Sequence, residues 1–223
     1  MSGIAVVIPT LDEEAGIGAA VDRLRDVDTI VVDGGSRDAT VARAKAAGAT
    51  VLTETGGRGA QLNAGAKAAR ASTLLFLHAD TRLPAGWQPK VEAALDRPGP
   101  VVGAFSLAIE DAGMRLSLVA LGANVRSRLL GRPYGDQALF MRRSTFAALG
   151  GFRALPIMED LDFVRRAARI GHVVTLPDRV VTSARRWRRH GAAKSVVINQ
   201  AMLVGEALGM PHERLAAFYR RAR

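Results

Sequence analysis

A mostly parallel α/β sheet flanked by helices is the fold class that this sequence predicts, on three observations. Short apolar runs alternate with helix-length segments through the first half of the chain. Turn-forming, acidic or capping residues follow the runs. Strand–helix–strand alternation closes most simply through right-handed crossovers in one sheet. The elements follow in order. Residues 4–8 (I-A-V-V-I) form a buried-strand run that Pro9 is expected to stop, and Asp12 can cap a helix through Leu24. Residues 29–32 form the next strand, ending at Asp33; after the turn Gly34-Gly35-Ser36, Ser36 can cap a helix that ends near Gly48. Residues 49–52 are a third strand, 59–71 a helix opened by Gly56-Gly57-Arg58-Gly59, and 73–77 a fourth strand ending at His78-Ala79-Asp80.

The second half is less regular. Strands are expected over 101–109, 138–141 and 172–176, and helices over 112–130 and 159–170, the latter closed by Gly171. From Ala193 onward the tail reads as one or two helices, interrupted at Gly209-Met210-Pro211. No repeat or linker divides the 223 residues, so one domain is the simplest account.

Hydrophobic residues make up 48% and charged residues 23%, an ordinary globular balance. With no cysteine, a disulfide scaffold, a thiolate zinc site and a cysteine nucleophile are excluded. No apolar run approaches the ~18–20 residues that cross a bilayer, and the start lacks the pattern of a signal peptide, so a cytoplasmic location is expected. The net charge of +10 is uneven: residues 1–111 carry 11 Lys/Arg against 14 Asp/Glu, and residues 112–223 carry 20 against 7. A half so basic attracts phosphate, on a nucleotide, a nucleic acid or an anionic membrane face, although the arginines equally suit a solvated surface.

Polar residues recur at the carboxyl ends of the early strands: Thr10, Asp12 and Glu13, then Asp33 and Ser36, then Asp80. Open α/β sheets bind ligands at that edge, where helix N-termini offer N–H groups to phosphate. A nucleotide pocket is therefore expected; Asp12, Asp33 and Ser36 taken singly serve equally well as caps. The Gly-rich segments spell neither a Walker motif nor the G-x-G-x-x-G pattern. His78 and Asp80, two residues apart, are candidate ligands of a partial Mn²⁺ or Mg²⁺ site completed by phosphate oxygens. A lone His at a strand end is more often structural. Glu159-Asp160 opens a helix; the pair either caps it or supplies a carboxylate that takes a proton from a hydroxyl. The run Arg185-Arg186-Trp187-Arg188-Arg189-His190 reads as a solvated loop, a nucleic-acid patch, or a cationic clamp on a diphosphate leaving group.

Taken in order, V-V-I-P-T-L-D-E-E (6–14), V-V-D-G-G-S-R-D-A-T (31–40), G-R-G-A-Q-L-N-A-G (57–65), L-F-L-H-A-D-T-R-L-P (75–84), G-D-Q-A-L-F-M-R-R (135–143), G-G-F (150–152) and M-E-D-L-D-F (158–163) resemble the family 2 glycosyltransferases of GT-A fold. The H-A-D-T-R-L-P and G-D-Q-A-L-F variants are similar to a subgroup of small bacterial transferases described as associated with radical-SAM or selenium-related proteins. The resemblance implies a nucleotide-sugar-binding half over 1–111, an acceptor and catalytic half over 112–192, and a helical tail over 193–223. It implies a nucleotide-sugar donor, usually a UDP-sugar, a divalent metal, and inversion at the anomeric carbon. Pro9, Thr10 and Glu13 would then border base and ribose, Asp33 would contact the base with Ser36 on the same loop, and Arg58 would approach the phosphates. Asp80 matches the last Asp of the family's D-x-D, with His78 in place of the first. Asp160 matches the general base, with Glu159 beside it, and Arg185, Arg186 and Trp187 resemble the basic–Trp motif behind the diphosphate.

Two other readings stand beside this one. A nucleotidyltransferase on a related fold usually has a Gly-rich basic loop after its first strand, whereas residues 9–14 are acidic and lack glycine. A non-catalytic basic protein binding nucleic acid or membrane accounts for the charge but not for acids at successive strand ends. Under the transferase reading no nucleic-acid partner is expected, and the acceptor is not legible. The tail from Ser195 is expected to pack on the core, in preference to forming a homodimer or touching anionic lipid, because Asn199, Gln200 and Glu206 interrupt its apolar run.

Overall fold

The structure, a computed structural model, describes residues 3–110, 113–185, 187 and 191–222. Strands β1 (Ile4–Thr10), β2 (Asp28–Asp33), β3 (Thr50–Thr53) and β4 (Thr73–Phe76) alternate with helices α1 (Glu14–Asp22), α2 (Thr40–Ala46) and α3 (Arg58–Ala68). Then come β5 (Thr81–Arg82), α4 (Trp87–Leu95), β6 (Pro100–Ile109), α5 (Met114–Leu130), a short 3-10 turn (Gly135–Gln137), β7 (Phe140–Arg142), α6 (Arg143–Ala148), α7 (Glu159–Ala167) and β8 (His172–Thr182). The tail forms α8 (Ala192–Ala207) and α9 (His212–Ala222). One sheet runs β3-β2-β1-β4-β7-β6-β8-β5. Its first four strands are parallel, β7 is antiparallel to both neighbours, β6 and β8 are parallel, and β5 is an antiparallel edge.

The sheet is covered on both faces, which is why β1 shows no polar alternation. Ile4, Val6 and Ile8 point into a cluster with Ile17, Val21, Trp87 and Val91, while Ala5 and Val7 point into one with Leu62, Ala66, Phe163 and Val164. Helix α3 lies so close to the sheet that a Cβ on Gly65 would overlap the Val7 side chain. Its run of small residues is therefore a packing requirement.

Several boundaries differ from the sequence expectation. β1 does not stop at Pro9 but continues to Thr10. It can do so because β4 pairing ends at Val7, and beyond it only β2 accompanies the strand, with Pro9 opposite Val32. β8 runs past 176 to Thr182, absorbing Pro177-Asp178 as an irregularity in its register with β6. Asp12 and Ser36 cap no helix: α1 begins at Glu14 and α2 at Thr40. The Asp12 N–H instead donates to Ser36 Oγ (2.9 Å), and Asp12 Oδ1 accepts from the Arg37 N–H (2.9 Å), joining the loops after β1 and β2. The tail packs as expected: Ile198, Met202 and Leu215 form a cluster against Ile157 and Met158. No helix among the described residues is long and apolar enough to cross a membrane.

Candidate functional site

The carboxyl ends of β1, β2 and β4 open into a cleft of about 520 Å³, bordered by Pro9, Thr10, Glu13, Gly34, Arg58 and Asp80, among others. Parallel strands force the chain to leave the sheet at this edge, so three successive loops meet there. Asp33 folds the floor. Its two oxygens accept from the Thr10 hydroxyl (3.3 Å), the Ser36 hydroxyl (2.5 Å), and the Gly35 and Ser36 N–H groups (2.9 Å each). Asp33 is 2% exposed, so its carboxylate shapes the loop of Ser36 rather than lining the cleft. Gln61 donates from Nε2 to the carbonyls of Thr10 and Val32, both at 2.9 Å, and ties the two strand ends together. A Cβ on Gly34 would lie 3.0 Å from that Nε2.

Arg58 opens α3 at the cleft wall. Its Nη2 meets Nε2 of His78. Its Nε faces Oε1 of Glu159 at 3.3 Å. Glu159 is buried, and burial raises its pKa above the ordinary glutamate value; the Arg58 charge opposes that rise and the neighbouring Asp160 adds to it. Gly59 lets α3 and α7 approach, since a Cβ there would stand 2.9 Å from the Arg153 carbonyl and 3.7 Å from the Glu159 Cβ.

Asp160 is oriented by backbone. Its Oδ2 accepts from the Gly135 N–H at 2.7 Å, and its Oδ1 accepts from the Leu161 N–H at 2.8 Å. The position of a Cβ on Gly135 lies 2.5 Å from Arg58 Nη2, 3.0 Å from Asp160 Oδ2 and 3.3 Å from His78 Nε2. Thus the carboxylate at 160, the helix-start residue Arg58 and the strand-end residue His78, far apart in sequence, converge on one point.

Asp80 borders the cleft. Its Oδ1 accepts from the Thr81 and Thr182 hydroxyls at 3.4 and 3.5 Å. Among the described residues, no three His, Asp or Glu side chains gather as a metal centre. One carboxylate with diphosphate oxygens does fit the donor pattern of Mg²⁺ or Mn²⁺, which keep few protein ligands. The His78 Nε2 does not fit as a ligand in this arrangement, because it already meets the Arg58 cation. Glu13 is paired with Arg185 (2.6 Å), which links the β1 loop to the chain after β8; that contact raises the Arg185 pKa.

The sequence expectation placed Trp187 at the donor. In the structure it is buried with Ile109, Ala120 and Ala184, where an indole contributes packing. Arg186, expected beside the leaving group, lies outside the described residues. Sequence reasoning missed Thr55 as a border of the cleft and the structural work of Gln61 and Asn63. Asn63 accepts from the Phe152 N–H (2.9 Å) and donates to its carbonyl (2.8 Å), while Gly150 and Gly151 take φ of +72° and +68°. The G-G-F segment is thus a turn clamped to α3.

The family described as glycosyl transferase family 2 matches residues 5–146. No curated protein matches the chain. Solved structures do. The mannosyltransferase PcManGT from Pyrobaculum calidifontis, in complex with GDP-Man and Mn²⁺, aligns over 98% of this chain and 73% of its own at 17% identity and a TM-score of 0.73. S. aureus TarS 1-349 in complex with UDP-GlcNAc aligns over 82% of this chain at 18% identity and a TM-score of 0.64, and this chain spans only 58% of it. Glucosyl-3-phosphoglycerate synthase from Mycobacterium tuberculosis, with Mn²⁺, UDP and phosphoglyceric acid, aligns over 79% of this chain and 68% of its own, at 21% identity and a TM-score of 0.54. At these identities the likeness is one of fold.

Proposed function

The chain belongs to glycosyl transferase family 2, and from that premise we propose that it moves a sugar from a nucleotide-sugar donor, a UDP-sugar, to an acceptor nucleophile with inversion at the anomeric carbon. The observation that carries this reading is the convergence of Asp160 Oδ2, Arg58 Nη2 and His78 Nε2 around Gly135, beside the cleft at the strand ends. The solved relatives bound to GDP-Man and UDP-GlcNAc support a nucleoside diphosphate sugar as donor.

The nucleoside lies between Pro9-Thr10 and Gly34, with Glu13 and Ser36 at its border, and the diphosphate reaches toward Asp80 and the N-terminus of α3. Asp160 takes the proton of the acceptor. The freed electron pair forms the new bond to C1 as the bond from C1 to the diphosphate oxygen breaks, and that bond's electrons leave with the nucleoside diphosphate. Arg58, held by His78 and Glu159, sets a positive charge where negative charge develops. A divalent metal held by Asp80 and the diphosphate would supply further neutralisation of the leaving group. Glu159 acts by positioning Arg58, since its carboxylate is buried against it.

A thermal-shift screen of nucleoside diphosphates and their sugars, with and without Mn²⁺, tests the reading. One uridine sugar nucleotide is expected to raise the melting temperature, more so with metal. Silence across the panel would remove the donor from the account.

A further inference from the structure

Helix α5 is apolar on two sides. One side is anchored: Leu116, Val119 and Ala120 join Ile109 and Trp187 in a cluster, and Asn124 clamps both the N–H (2.7 Å) and the carbonyl (2.9 Å) of Leu107. The other side carries Met114, Leu118, Leu121, Val125 and Leu129, between 46% and 83% exposed. Their spacing of three or four residues puts them on one stripe. A rigidly seated helix with a second, unused apolar face is built to meet an apolar phase.

The charge around the stripe selects that phase. Residues 112–135 hold Arg115, Arg126, Arg128 and Arg132 and no acidic residue. A second copy docking its own α5 on this face would set arginine against arginine, with no acid on either helix to compensate. Arg126 stacks on Tyr134 and Arg128 donates to Ser106 Oγ, while the exposed Arg115 and Arg132 flank the stripe and would pair with an anionic surface. Helix α8 extends the pattern: Val197, Val204 and Leu208 are more than half exposed, its Val196 packs into the α5 cluster, and Lys194 stands exposed at its start. No described helix can span a bilayer, so contact would be in the plane of the interface.

We propose that the exposed face of α5 is a docking surface for an anionic lipid bilayer, with the apolar stripe inserted at the headgroup boundary and Arg115 and Arg132 on the phosphates. Proposed sugar transfer is not a premise of this inference, which stands or falls separately.

The test is co-sedimentation of the full chain with vesicles of phosphatidylcholine alone and of phosphatidylcholine mixed with phosphatidylglycerol. The protein is expected on the mixed vesicles, released by salt, and not on the neutral ones. Leu118→Glu/Leu121→Glu should weaken partitioning at least about tenfold at an unchanged melting temperature, because both side chains are already exposed. Arg115→Gln/Arg132→Gln should abolish the preference for the anionic vesicles. Three results would overturn the proposal: no binding to mixed vesicles, binding indifferent to both variants, or a lipid-free dimer in sedimentation velocity that Leu118→Glu/Leu121→Glu dissociates.

Discussion

The Nε of Arg58 and the Oε1 of Glu159 face each other at 3.3 Å, both buried and neither with a hydrogen-bond partner among the described residues. The contact is therefore held by charge alone. Burial raises the Glu159 pKa despite the guanidinium, so the folded chain binds the proton more tightly than the unfolded one. Stability from this group is complete below the ordinary glutamate range and is lost as pH rises through the raised folded value. Each unit of displacement corresponds to about 1.4 kcal/mol. Urea denaturation across pH should show Glu159→Gln gaining on the wild type as pH increases through that window. Parallel curves would show that Glu159 does not titrate differently on folding.

Asp160 carries the proposed proton transfer. Asp160→Asn is expected to lower turnover by about 10²–10⁴-fold, the usual weight of a general base, while the dissociation constant for the nucleoside diphosphate stays within about twofold. Calorimetry beside a transfer assay separates the two. Affinity that falls together with turnover would assign Asp160 to donor binding.

Asp80 is the carboxylate that fits a metal with phosphate. Asp80→Ala should erase the Mn²⁺-dependent part of nucleotide binding and leave a metal-independent remainder on Arg58. Equal affinity with Mn²⁺ and with chelator in the wild type would take metal out of donor binding.

Gly135 sits where three polar atoms meet. Gly135→Ala would push its methyl group into Arg58 Nη2 and toward Asp160 Oδ2. Because the guanidinium is the movable end of a flexible side chain, stability should change by less than about 1 kcal/mol. Turnover should drop at least about tenfold, as misplacement of this size commonly costs. Unaltered turnover would show that the convergence at Gly135 is dispensable.

Asn63 makes a stability prediction. Asn63→Ala strands the N–H and the carbonyl of Phe152, a residue 3% exposed. Unpaired buried polar groups cost about 1–3 kcal/mol, readable as a lower urea midpoint. A midpoint equal to the wild type's would mean water replaces the amide.

The ends of β2 and β4 were legible because each is an apolar run followed by polar or turn residues, whereas β1 runs on through Pro9; the cleft follows from their parallel order. Asp80 and Glu13 stand at that cleft and Asp160 beside it, as their spacing after strands and before a helix suggested. What the sequence hid depends on distant partners. Asn63 reaches Phe152 and Gln61 reaches Thr10, pairings that no local pattern announces. β5 is two residues long, and α4 starts from Gly86 in a left-handed conformation just after Pro84, so neither gives a periodic signal. Trp187 shows the converse: an aromatic among arginines suggested a ligand contact, and the packing of its indole with Ile109, Ala120 and Ala184 was not legible. Likewise Asp33 is an acid at a strand end whose hydrogen bonds are consumed in folding its own loop.

Ile157 and Met158 immediately precede the helix of Glu159 and Asp160, and the cluster on which they rest is formed by Ile198, Met202 and Leu215. During synthesis, a chain that has left the ribosome only as far as α7 would own the acid pair without its backing. Helices α8 and α9 must emerge before that corner gains its apolar backing, which makes the support of the acid pair a late event in the life of each molecule.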